Sequence, residues 1–112
     1  MMTLGEMQED FFMDKVPLLV AEIKRLGLRA RGGDLFRDPR VHGQVGEQKG
    51  YGHKNSCHKL KLAIDVNLVK DGVLLGDGPE HAALHDFWDS LGGAPRIPHD
   101  MNHYSVEYRG MR

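Results

Sequence analysis

His58, Asp65 and His103 are the residues whose types suit a metal centre. Imidazole and carboxylate ligands suit zinc, and three protein ligands with an open fourth position is the arrangement a hydrolytic zinc needs to activate water. Asp65 falls where Leu62, Ile64, Val66 and Leu68 alternate with Lys61, Ala63, Asp65 and Asn67. A strand there buries the first row and turns the second to the other face. A carboxylate placed mid-strand needs a cation or hydrogen bonds to offset its loss of water. The odd spacing of His58 from Asp65 sets them on opposite faces of an unbroken strand, so the chain must turn or bulge between His58 and Leu62. Taken singly, His58 and His103 also fit surface or satisfied core histidines.

Asp100 precedes His103 by three positions in a bend that enters a strand, where a carboxylate can take a proton from water as general base. It fits equally a turn-forming Asp after Pro98-His99. Arg37 can hold a substrate carboxylate or an oxyanion, or lie on the surface beside Arg40. His81 and His85 stand at i and i+4 on a helix, the zinc-protease spacing, but Ala82 occupies the place of the catalytic Glu. The pair is therefore expected as a solvated helix edge. His42, His53 and His99 fall in loops. Cys57 adjoins His58 and is left without a role, since sequence neighbours seldom point at one ion.

The elements that must position these residues follow from periodicity. Phe12, Val16, Leu19, Ile23 and Leu26 recur at helical steps from about Glu6 to Leu26, closed by Gly27, and Pro17 with Asp14 as cap offers a later start. Leu28 to Phe36 reads as extended, with Gly32-Gly33 as a bulge or turn. Val41 to Asn55, with Gly43, Gly46, Gly50 and Gly52, reads as a long surface loop of the kind that binds something or is disordered. Lys70-Asp71-Gly72 turns the central strand back into Val73-Leu74-Leu75. Pro79 starts a second helix with Leu84, Phe87, Trp88 and Leu91 on one face, stopped by Gly92-Gly93. Asn102 to Arg109 alternates as a closing strand, with Tyr104, Val106 and Tyr108 opposite His103, Ser105 and Glu107. The expected class is α+β, a small antiparallel sheet flanked by two main helices.

At 112 residues the chain is read as one domain, 1–112, with any function confined to one compact site. Fifteen basic and sixteen acidic residues give a net charge of −1, which argues globally for no nucleic acid or anionic membrane as partner. The lone Cys57 excludes an intramolecular disulfide and a Cys-rich zinc module. No signal peptide is read at the N-terminus and no run is long enough for membrane insertion, so synthesis in the cytoplasm is expected. A monomer is expected as well.

Ser56-x-His58 with Ala63-x-Asp65, followed by Asp100-x-x-His103, resembles the M15 family of zinc peptidases, the D-alanyl-D-alanine carboxypeptidases and L-alanyl-D-glutamate endopeptidases that include many phage endolysins. The likeness runs from about Gly33 to the C-terminus, and Asp34-Leu35-Phe36-Arg37 is similar to the family's segment ending in a substrate-facing Arg. The resemblance implies a D-Ala-D-Ala-peptidase-like (hedgehog-like) fold. It implies Zn2+ on His58, Asp65 and His103, Asp100 as catalytic base, Arg37 as electrostatic clamp and Ser56 as a supporting hydrogen-bond donor at the substrate site. Lys61 stands where many members have Gly, Asp100 where many have Glu, and Asn102 where an aromatic residue often precedes the last His. The function so implied is cleavage of peptidoglycan stem peptides by a phage or prophage lysis enzyme. No separate wall-binding domain is read, and such an enzyme acts on the wall after release by a holin or similar. A non-catalytic wall- or peptide-binding module keeping a structural metal is the alternative, and a virion structural protein a third.

Overall fold

Thr3 starts the first helix with a capping box: its Oγ accepts from the Glu6 N–H at 3.1 Å, and its own N–H donates to Glu6 Oε1 at 2.9 Å. The structure, a computed structural model, describes residues 1–49 and 53–112. Helix α1 (Leu4–Asp10) runs through a π-turn (Phe11–Lys15) into α2 (Val16–Arg25). Pro17 explains the π-turn, because it brings no N–H and its ring crowds the preceding turn. The Val16 N–H accordingly donates to the Phe11 carbonyl, five residues back. The later start at Pro17 is thus overturned. So is the expected place of Phe12, which is exposed while Phe11 is fully buried, since the extra residue of the π-turn rotates the apolar face by one position. Gly27, at φ +75°, ends the helix in a Schellman motif with Leu28 N–H on the Ile23 carbonyl and Gly27 N–H on that of Lys24.

The four-stranded antiparallel sheet is built around β2 (Ala63–Lys70). Along one edge lies β1 (Arg29–Gly32), with Gly32 opposite Val66. The other edge carries β3 (Val73–Leu74) at the C-terminal end of β2 and β4 (His103–Ser105) at its N-terminal end. Between β1 and the loop beyond it, the Gly33 N–H donates to the Asp65 carbonyl while the Asp65 N–H donates to that of Asp34. Two residues face one there, a β-bulge. The class is α+β, as the periodicity predicts. The closing strand is shorter than expected, because beyond Ser105 the chain leaves β2 and folds on itself through a Tyr108–Met111 bridge.

Helix α4 (Pro79–Ser90) packs on the β4 side of the core. Trp88 Nε1 donates to the Ser105 carbonyl at 2.8 Å, and its ring meets Phe11 and Tyr104 edge-on. Gly93 is required, since a Cβ there would lie 2.2 Å from the Trp88 ring. The segment expected as a long loop begins with a short helix, α3 (Pro39–His42), held by Asp38, whose carbonyl accepts from the Val41 and His42 N–H groups. Lys59, 6% exposed, ties the rest by donating from its ammonium to the carbonyls of Gln44, Glu47 and Lys54. Gly50 and Gly52, counted in that loop, lie outside the described residues.

Candidate metal centre

Each member of the triad arrives by a separate device. Ser56 Oγ accepts the His58 N–H at 3.2 Å and caps a 3-10 turn (Cys57–Leu60), which closes on Lys61 at φ +59°. That left-handed residue is the bend the sequence demands, and a Gly there would adopt it without strain. It lets the chain enter β2 with His58 brought round to the Asp65 face. Asp65 pairs with His103 across β2 and β4. Both backbone polar groups of Asp65 bond toward the β1 side, so this pair is a non-hydrogen-bonded one, the type whose side chains stand closest.

The polar atoms converge. His58 Nε2 lies 3.0 Å from Asp65 Oδ1 and 3.2 Å from His103 Nδ1, and His103 Nδ1 lies 3.8 Å from Asp65 Oδ1. Ligands on zinc bonds of about 2.0–2.1 Å stand about 3.4 Å apart in a tetrahedron. A His58–Asp65–His103 group of this size can hold a metal ion. Protonation argues the same way. The Leu35 carbonyl, 3.4 Å from His58 Nδ1, can only accept, so the tautomer that bonds it carries its proton on Nδ1 and turns the Nε2 lone pair to the Asp65 oxygen, while the other tautomer donates from Nε2 to Asp65. In the first tautomer two lone-pair atoms stand 3.0 Å apart, an arrangement that a cation between them, a proton or a metal ion, satisfies. A backbone carbonyl that fixes the far nitrogen is also the usual support of a metal-bound His. Burial pushes the Asp65 carboxyl up, but the His103 and His58 rings beside it outweigh burial and hold it below the usual carboxylate range.

Arg37, Ser56, Asp100 and His103 line one cleft of about 500 Å³. Arg37 is tied to the site by its N–H on the His58 carbonyl, and its Nε lies 3.4 Å from Asp34 Oδ2. Asp100 is exposed in a turn closed by the His103 N–H on its carbonyl. The residues singled out in the sequence therefore meet in one place. The Ser56 hydroxyl accepts from the His58 backbone and positions that candidate ligand, and its own proton stays available to donate.

His81 and His85 are a correction. They are buried, 1% and 0% exposed, on the opposite side of β4 from the triad. Tyr104 and α4 close over them: His81 Nδ1 bonds the Tyr104 hydroxyl at 2.7 Å, and the His85 ring stacks on Tyr104 at 4.1 Å. His85 Nε2 donates to the Met101 carbonyl at 2.7 Å, which pins the Asp100–His103 turn. Cys57 lies in the core, its thiol on the Val106 carbonyl and pushed up by burial to about 11. His53 lines the cleft and its Nδ1 accepts from the Asn55 N–H, while His99 is exposed. The Gly32-Gly33 pair, read as a bulge or turn, is at the bulge opposite Asp65. The Leu35 carbonyl and the bond of His85 to the Met101 carbonyl escaped the sequence reading.

Compared with known proteins, the chain matches no family model and no curated protein sequence.

Proposed function

We propose that the protein is a zinc-dependent peptidase that hydrolyses amide bonds in peptidoglycan stem peptides, a lysis enzyme of phage or prophage kind. The observation that carries the chemistry is the convergence of His58 Nε2, Asp65 Oδ1 and His103 Nδ1 beside a cleft that Asp100 and Arg37 share. The wall peptide as substrate rests on the resemblance of the Ser56-x-His58, Ala63-x-Asp65 and Asp100-x-x-His103 motifs to M15 peptidases. Bound by His58, Asp65 and His103, zinc supplies Lewis acidity that polarises a scissile carbonyl and acidifies water. Asp100 accepts the proton of the attacking water and returns it to the leaving amine. Arg37 meets the charge that develops at the carbonyl with a fixed guanidinium. A purely structural zinc takes four protein ligands, whereas three meet here among the described residues, and this favours the enzyme over a binding module.

The test is metal content and wall lysis together. His58→Ala and His103→Ala are expected to lose zinc and lysis, and Asp100→Asn to keep zinc while turnover falls about 100-fold or more. Undiminished lysis in either His variant would sink the peptidase reading.

A further inference from the structure

The cleft beside the triad is unevenly charged. Arg37, Arg109 and Arg112 line it against one acid, Asp100, among its described residues. Arg109 and Arg112 come from the turn that follows β4, where the Tyr108 N–H donates to the Met111 carbonyl at 3.0 Å and the Met111 N–H to that of Tyr108 at 2.9 Å. The two residues between, Arg109 and Gly110, have φ of +49° and +79°. The β2–β3 hairpin has the same form at Asp71 and Gly72, with φ of +51° and +80°. Asp suits that first position, because a short polar side chain bonds locally in the left-handed region. Arg gains no such compensation and costs about 1 kcal/mol of backbone strain there. Its guanidinium lies over the Tyr108 ring, 5.2 Å from the centroid, and borders the cleft. A cation held in the left-handed region at the edge of a cleft, where Asn or Asp would fold better, motivates a search for what it binds.

We propose that Arg109, assisted by Arg112, is a carboxylate subsite that selects peptides bearing an acidic group remote from the scissile bond. The planar fork of Arg109 suits bidentate capture of a carboxylate. The proposal rests on the peptidase reading, with Arg37 at the reacting carbonyl and the C-terminal turn at the distant acid. Acidic stem peptides are then preferred over the same peptides with their non-terminal carboxyls amidated.

The experiment uses the zinc-loaded full chain carrying Asp100→Asn, so that binding is read without turnover, and a stem pentapeptide in acid and amidated forms. Calorimetry is expected to show the acid form about tenfold tighter, on the scale of one charged hydrogen bond. Adding Arg109→Asn should abolish that preference, leave binding of the amide unchanged and leave the melting temperature equal or higher. Arg109→Lys should restore part of the preference. Equal binding of acid and amide, no binding of either, or a tenfold preference that survives Arg109→Asn overturns the subsite. Hydrolysis of neither peptide by the chain with Asp100 intact, alongside a preference that Arg109→Asn removes, refutes the peptidase reading and leaves the subsite standing.

Discussion

Asp65 depends on its neighbour across the bulge as much as on its ligand partners. A Cβ on Gly33 would stand 2.8 Å from the Asp65 Cβ and 3.4 Å from the Asp65 carbonyl. Contacts that close force either the bulge or β2 to shift, and such overpacking costs about 1–3 kcal/mol. Gly33→Ala is therefore expected to lower stability by that order in a urea titration. It should also weaken the proposed zinc binding at least tenfold in a chelator competition, because the shift moves a candidate ligand. Gly32→Ala, which meets nothing within 4 Å, is the control and should do neither. Alternation along β2 and the Asp100-x-x-His103 spacing made Asp65 and His103 legible in sequence, because a strand fixes faces by parity. The partners that hold them were not legible. A carbonyl such as that of Leu35 carries no residue signature, and its reach to His58 depends on where two distant segments pack.

Element boundaries show the same division between local and tertiary causes. The N-terminal helix was visible from its apolar steps, but a proline in mid-run reads as a start until one sees that a π-turn lets the helix pass it. That single inserted residue exchanged Phe11 for Phe12 in the core. Helix α4 was visible too, yet two histidines at i and i+4 looked like a polar edge, since nothing local announces the Tyr104 hydroxyl and the Met101 carbonyl that satisfy them. Through His85, α4 bears directly on the cleft. Its Nε2–H, with Asp77 Oδ1 on the Met101 N–H and Asn67 on Asn102, holds the turn that carries Asp100 and His103. Gln offers an amide N–H in the place of that nitrogen, and Leu offers none. In the proposed peptidase, His85→Gln should keep wall-lysis turnover within about threefold, while His85→Leu should lose about tenfold or more in kcat with KM little changed, on the scale of one lost hydrogen bond to a positioned loop. Equal losses in both variants would show that His85 serves packing alone.

At the scale of the molecule, β4 is a single strand with two loads: His103 faces the candidate metal centre and Tyr104 faces the α4 histidines. That second layer makes stability depend on pH. Burial, the largest influence, pushes both His81 and His85 below the ordinary imidazole value; Asp77 and Glu80 at His81, and the bond to the Met101 carbonyl and then Asp89 at His85, offset it only in part. With the folded values depressed, the unfolded chain takes up protons first as pH drops below about 6.5, and the native state is disfavoured from there downward until the folded values are reached. Above about pH 7 neither group contributes. Each imidazole adds at most about 1.4 kcal/mol per pH unit to the slope. Urea unfolding of the chelated protein should therefore give a free energy that falls between pH 7 and 5.5. The double variant His81→Asn, His85→Gln keeps an amide in place of each bonding nitrogen and removes both titrations. The difference between the two proteins isolates the α4 pair: the variant's slope should be the shallower, and parallel lines would mean that the buried pair takes up protons as readily in the folded chain as in the unfolded one.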